Sequence, residues 1–411
     1  MKRTFGVGAW FARWLFAMGA ALTLFLVATR AEAYPWMIRH GYTGCLPCHT
    51  DPSGGTGVLT EYGRAQGDLL LRMPYAKVDE SGEASPTARF AGFVPLPAQL
   101  RLGGDFREAV YTTQAENAPL QQQFITMRAD ATADVKIGRF RAAGNLGYAP
   151  QGDLYASLTD NPSGGNLISR EHWIGVELDD DGGWLLRAGR MALPFGIRMI
   201  EHTLWARSLT RTDFDDTQEY GASLSLARDK LRGEVMGIVG NFQIHPDDFR
   251  ERGYAAYVEF APMNTLSFGV SSLFTRATRD IIYGVTDYRF ANGPFLRYAP
   301  FEQLVLFAEI DSNYQSLTWN GHRGGFAGFA QADYEPTQGF HVMLTGETMN
   351  SGTADEPTSF DGWLTAVWFF LPHMDVRIDA IYSTLGQAPT PTTPSSYTNV
   401  STWLAQFHVF L

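Results

Sequence analysis

Cysteine is almost absent: two residues in a chain of 411. The two lie three positions apart, as Cys45 and Cys48, and no second C-x-x-C exists to complete a four-thiolate zinc site. No βαβ pattern surrounds them, which sets aside a thioredoxin-like motif. Long apolar runs are also missing beyond the first thirty or so residues, so no later segment reaches the roughly 20 residues that a membrane helix needs. No catalytic triad or phosphate-binding loop stands out. A net charge of −11 gives no sign of a nucleic-acid partner. What is present is glycine, 42 residues, and aromatic side chains at 13%.

The N-terminus reads as an export signal. Met1-Lys2-Arg3 and Arg13 form a basic region, residues 15–29 an apolar stretch, and Ala31-Glu32-Ala33 a small-residue cleavage site. The mature chain would then begin at Tyr34. Soon after it comes Cys45-Leu46-Pro47-Cys48-His49. C-x-x-C-H is the attachment pattern of a c-type haem: two thiols form thioethers to the vinyl groups, and the adjacent histidine ligates iron. Cys45 and Cys48 are therefore the candidate haem-binding residues and His49 the proximal iron ligand, for one covalent haem c. Using both cysteines in this way leaves none for a disulfide.

Residues 34–73 are expected to form a small haem domain. A turn-rich stretch, Asp51-Pro52-Ser53-Gly54-Gly55, is followed by a predicted helix over 58–73, with Val58, Leu59, Tyr62, Leu69, Leu70 and Met73 on one stripe. Gly63 and Gly67 weaken that helix. Three residues compete to be the sixth iron ligand. Met73, followed by Pro74, is the first choice, with His40 and Met37 as alternatives. Prolines at 74, 86, 95 and 97 then mark 74–97 as a linker.

From 98 to 411 the dominant pattern is alternation with period two, in segments of about ten residues, which is the mark of a transmembrane β-barrel. Over 124–137, Ile125, Met127, Ala129, Ala131, Ala133, Val135 and Ile137 alternate with Thr126, Arg128, Asp130, Thr132, Asp134 and Lys136. Val376, Ile378, Ala380 and Tyr382 alternate with Asp375, Arg377 and Asp379. Strand candidates fall at 98–113, 123–137, 139–149, 171–179, 183–191, 218–228, 230–240, 252–261, 264–276, 288–298, 302–314, 323–334, 338–349, 360–370, 374–384 and 398–411. That is sixteen, an even number as bacterial barrels have. Short connections alternate with the long links 114–122, 150–170, 192–217, 241–251, 277–287, 315–322, 350–359 and 385–397. This asymmetry matches periplasmic turns on one side and extracellular loops on the other. The expected class is all-β: a 16-stranded antiparallel barrel with a small N-terminal haem domain of coil and helix.

Two charge groups remain. Arg101, Asp105, Arg107, Arg128, Asp130, Asp134, Glu309, Asp311, Asp375, Arg377 and Asp379 are expected to line the lumen as cross-strand pairs. Arg211-Thr212-Asp213-Phe214-Asp215-Asp216, with His245, Asp247 and Asp248, could meet a divalent ion at an outer mouth; ordinary solvated loop charge is the preferred reading.

The signal, the early C-x-x-C-H, the continuation Leu59-Thr60-Glu61-Tyr62-Gly63-Arg64, and a barrel of about three hundred residues together resemble the fused monohaem cytochrome–porins of the bacterial outer membrane. The chain also ends in an alternating strand, Trp403 to Leu411, similar to the assembly signal of outer-membrane proteins, although Leu411 replaces the commoner terminal phenylalanine. The resemblance implies electron transfer across the outer membrane of a Gram-negative cell, with Fe(II) oxidation as the best-known activity. It implies three partners: outer-membrane lipid, a periplasmic carrier such as a soluble cytochrome, and an extracellular metal or other redox partner. The haem domain would sit on the periplasmic side or fold into the barrel as a plug. The alternative is a solute porin whose haem domain is structural, sensory or a docking site.

Overall fold

The structure, a computed structural model, describes residues 35–51, 54, 58–73, 96–150, 156–159, 161, 164–180, 182–199, 201, 203–213, 217–240, 251–280, 282–318, 321–371 and 373–410. Its strands are β1 Leu100–Ala115, β2 Gln121–Ile137, β3 Phe140–Ala149, β4 Asn166–Ile168, β5 His172–Glu177, β6 Trp184–Met191, β7 Glu219–Ala227, β8 Leu231–Gly240, β9 Glu251–Met263, β10 Leu266–Ala277, β11 Asp287–Phe301, β12 Leu304–Leu317, β13 Gly321–Thr337, β14 Phe340–Asn350, β15 Ser359–Leu371, β16 Met374–Gln387 and β17 Ser396–Phe410. Two helices are described, α1 Glu61–Leu70 and α2 Trp205–Thr210, with a 3-10 turn at Pro35–His40.

Every described pairing is antiparallel, and β1 bonds to both β2 and β17, so the sheet closes on itself. The ring has sixteen strand positions with one extra strand, β4. Residues 140–144 of β3 pair with β5, and residues 147–149 of the same edge pair with β4. The short strand therefore continues the place of β5 in the ring. Closure removes the unpaired edges that an open sheet would present.

Side chains are distributed inside out. Charged residues face inward and are buried: Asp134 and Asp379 are 0% exposed and Arg187 1%. Large apolar side chains face outward, with Phe140 at 70% and Ile174 at 68%. In water that arrangement would be costly; against hydrocarbon it is the favourable one. Strand ends fall within a few residues of those expected, and several strands run further: β9 reaches Met263, β11 Phe301 and β13 Thr337. The link read as 315–322 shrinks to 318–320, because β12 and β13 run further than their apolar faces suggested.

Two segments enter the ring. The link between β6 and β7 folds inward and buries Leu193, Phe195, Ile197, Met199, Leu204 and Ala206. The N-terminal residues pack on inner-face residues near the end where the short turns lie. There Trp36, Met37, Ile38, Cys48, Leu59 and Leu71 share one apolar cluster with Phe295, Phe307, Phe369 and Phe410 of the wall.

Candidate functional site

The C-x-x-C-H residues form one tight turn. The Cys48 N–H donates to the Cys45 carbonyl at 3.0 Å and the His49 N–H to the same oxygen at 2.8 Å. The chain then returns alongside itself: the Thr50 N–H donates to the Val58 carbonyl at 2.9 Å, and His49 bridges Leu59. Cys48 and His49 are 2% and 3% exposed, and Cys45 is half-buried.

The predicted helix differs in extent. Val58 and Leu59 are extended, Thr60 caps the helix, and α1 begins at Glu61. The predicted stripe holds only in part: Val58 and Leu59 are buried ahead of the helix and Leu70 packs on the apolar cluster. Tyr62 and Leu69 are exposed, whereas Gly63 and Gly67 are buried. Gly63, which lowers helix propensity, is the point of close approach: a Cβ there would sit 2.2 Å from the Cys48 carbonyl oxygen.

Arginines of the barrel wall grip the segment on either side of the motif. Arg297 of β11 donates to the Thr43 carbonyl at 2.5 Å. Arg141 of β3 donates to the Thr50 carbonyl, and Arg187 of β6 pairs with Asp51 at 2.5 Å. Arg64 reaches the other way, to the Leu102 carbonyl of β1. Sequence reasoning did not single out Arg141, Arg187 or Arg297. The available signal was an inward-facing arginine at each of those strand positions.

A second anchor lies at the short-turn rim. Arg39, its side chain fully buried, pairs with Asp333 and, at 2.5 Å, with Glu335 of β13. His341 of β14 approaches Asp333 at 3.0 Å, and the Trp36 ring lies 4.9 Å from the His341 ring. Gly41, at φ +85°, reverses the chain directly after this anchor.

The candidate sixth ligands are dispersed. The Met73 sulfur accepts a hydrogen bond from the Trp368 indole at 2.7 Å, and its N–H donates to the Phe369 carbonyl at 3.1 Å, so it is occupied at the rim. The His40 Nδ1 lies 3.6 Å from Glu302. Burial lowers the His40 pKa, against an opposing pull from Glu335. Met37 is buried in the same apolar cluster as Cys48.

The inner charges pair, though not all across strands. Arg101 and Asp134 are direct partners on β1 and β2, at 3.1 Å. Arg128 bonds Asp130 of its own strand at 3.0 Å and meets Asp105 at 3.4 Å. Arg377 bonds Asp379 of its own strand, and Glu309 receives Arg207 of α2. Asp375 bonds His408 at 2.8 Å, and Arg107 lies against the same ring. Asp311 is fully buried on β12, two residues from Glu309. Of the outer-mouth candidates, Arg211 pairs with Asp280 at 2.5 Å and Glu251 at 3.2 Å. Phe214, Asp215, Asp216, His245, Asp247 and Asp248 lie outside the described residues, as do the signal 1–33 and most of the linker.

The inner wall and these inward segments form a barrel that can be compared as a whole. OmpT of Vibrio cholerae matches over 75% of this chain and 97% of its own, with a TM-score of 0.54 at 11% identity. An anion-selective porin from Comamonas acidovorans matches over 76% and 99%, with a TM-score of 0.54 at 13% identity. The fold is that of the outer-membrane porins. OmpF of Salmonella typhi, solved as a complex with daunomycin, gives a TM-score of 0.53 at 13% identity over 76% of this chain and 97% of its own. No family model matches the chain, and no curated protein matches it.

The donor set at residues 45–49 fits a covalent haem. Both cysteines stand outside any disulfide, on one turn, with a histidine next in chain. Burial pushes the Cys48 thiol up to about 12 and the Cys45 thiol up as well, which favours the neutral thiols in the haem-free chain.

Proposed function

We propose that this chain is an outer-membrane barrel holding one covalent haem c inside its lumen, and that it moves electrons across that membrane. The observation that carries the reading is the C-x-x-C-H turn gripped by inner-wall arginines at Thr43, Thr50 and Asp51. Cys45 and Cys48 would hold the group and His49 would ligate its iron. Bound there, the haem supplies one-electron exchange at a single station. By the porin rule, the short turns face the periplasm. The station then lies in the periplasmic half, within reach of a soluble carrier. A cavity of about 450 Å³ lies in the lumen, lined among others by Tyr111, Trp205 and Trp363. It would admit a small donor or acceptor from the loop side, such as Fe(II) or a small chelate, and no folded protein.

A second reading is a solute porin whose haem domain is structural, sensory or a docking site. The likeness to porins speaks for it more directly than for electron transfer. Sealed proteoliposomes with Fe(II) supplied only outside separate the two. Electron transfer requires haem reduction from the outside. An unreduced haem together with rapid solute leakage would sink the first reading and leave the second.

A further inference from the structure

Leu59-Thr60-Glu61-Tyr62-Gly63-Arg64 stood out in the sequence, and the haem ligands alone give it no task. Its contacts converge on one object. Leu59, fully buried, bridges His49 through the backbone. The Thr60 N–H donates to the Cys48 carbonyl at 2.8 Å. The Thr60 hydroxyl donates to the Pro47 carbonyl at 2.8 Å and accepts from the Gly63 N–H at 3.0 Å. A Cβ on Gly63 would sit 2.2 Å from the Cys48 carbonyl oxygen and 2.7 Å from its Cα. Arg64 then ties the helix to the Leu102 carbonyl of the wall.

We propose that this motif is a brace that orients the haem-attachment turn, with Thr60 as its positioning residue. The inference rests on the haem reading above. The carbonyls of Pro47 and Cys48 are the ones that would swing if the turn rotated. Thr60 holds both, one through its hydroxyl and one through its backbone. With those peptides fixed, the Cys48 Cβ and the His49 side chain leave the turn in one direction. Gly63 allows the helix to lie close enough for the hold to form. The wall bond of Arg64 transmits the rigidity of the barrel to it. A threonine that only capped α1 would need no bond to Pro47.

The test uses the full chain, expressed with haem-attachment machinery, as Thr60→Ser, Thr60→Val and Gly63→Ala. Barrel folding is followed by heat-modifiable gel mobility. The haem is followed by covalent haem content, low-spin EPR signature and reduction potential. Thr60→Ser keeps the hydroxyl and should match the unmodified chain in all readouts. Thr60→Val and Gly63→Ala should fold as barrels, yet lose covalent haem several-fold or shift the EPR signature and potential. Unchanged haem content, signature and potential in both variants would overturn the brace. So would loss of the folded barrel in both, since the motif would then be a general fold element. Absence of covalent haem from the unmodified chain would instead overturn the reading on which the proposal stands.

Discussion

Arg39→Gln tests how firmly the N-terminal turn is held inside the ring. The guanidinium and Asp333 are both fully buried, and Glu335 is nearly so. Removing one partner of a buried ion pair costs about 3–5 kcal/mol, because the charges left behind are neither solvated nor neutralised. Here one substitution strands two carboxylates, leaving His341 beside both and the Gly339 N–H on Glu335. Every 1.4 kcal/mol is a factor of ten, so opening of the turn should become roughly a hundred- to a few-thousand-fold more frequent. Amide hydrogen exchange of the full chain in detergent, read on peptides covering 35–44, measures this. Exchange there should accelerate by that factor while β9–β17 amides keep their protection. The triple variant Arg39→Gln, Asp333→Asn, Glu335→Gln removes the charges as a group and should recover most of the protection. If Arg39→Gln exchanges at the unmodified rate, the pair does not anchor the segment and the reasoning fails.

Further outcomes follow from the same geometry. Burial lowers the His40 pKa, so the unfolded chain binds more protons than the folded one between that lowered value and 6.5. The N-terminal segment should accordingly lose protection as pH falls through 6.5, and His40→Gln should flatten that dependence in exchange measured from pH 5 to 8. Met73→Leu should leave the haem spectrum and potential unchanged, since its sulfur is engaged with Trp368; a lost Met-ligation band in that variant would show the opposite. Met37→Leu, in the apolar cluster that holds Cys48, is the variant expected to alter the band. In haem-free protein, iodoacetamide at pH 8 should label Cys48 at least tenfold more slowly than a free cysteine peptide, as its thiol is pushed up to about 12; equal labelling rates by mass spectrometry would contradict the burial.

The barrel was legible because its two chemistries recur every second residue. β2 is the clearest case, with Arg128, Asp130, Thr132 and Asp134 all buried inward as the alternation requires. β4 was not legible: three residues, Asn166–Ile168, are too few to carry a period. The link 192–217 read as a loop, and its order came only from wall partners distant in sequence. Glu309 receives both the Ile197 N–H, at 2.8 Å, and Arg207. The C-x-x-C-H motif was plain, while the residues that hold it were not. Arg141, Arg187 and Arg297 are separated from their partners Thr50, Asp51 and Thr43 by 91, 136 and 254 positions. The stripe proposed for α1 held at Leu59 and Leu70 but not at Tyr62 and Leu69, for a local reason. Helical periodicity finds apolar faces, and the closest approach of this helix is made at Gly63, which carries no hydropathic signal.

The depth of the motif also dictates an order of events in making the protein. Cys48 and His49 are almost wholly enclosed, and the segment around them is bonded to β1, β3, β6, β11 and β13 at once. An enzyme that joins a bulky group to those thiols cannot reach them through the finished wall. If the haem reading holds, the group would have to be attached first and seated afterwards, either as the seam between β1 and β17 closes or through the short-turn mouth. On that reading, maturation of the N-terminal segment and insertion of the barrel would be consecutive steps, and a chain whose barrel closed too early would be left without its group.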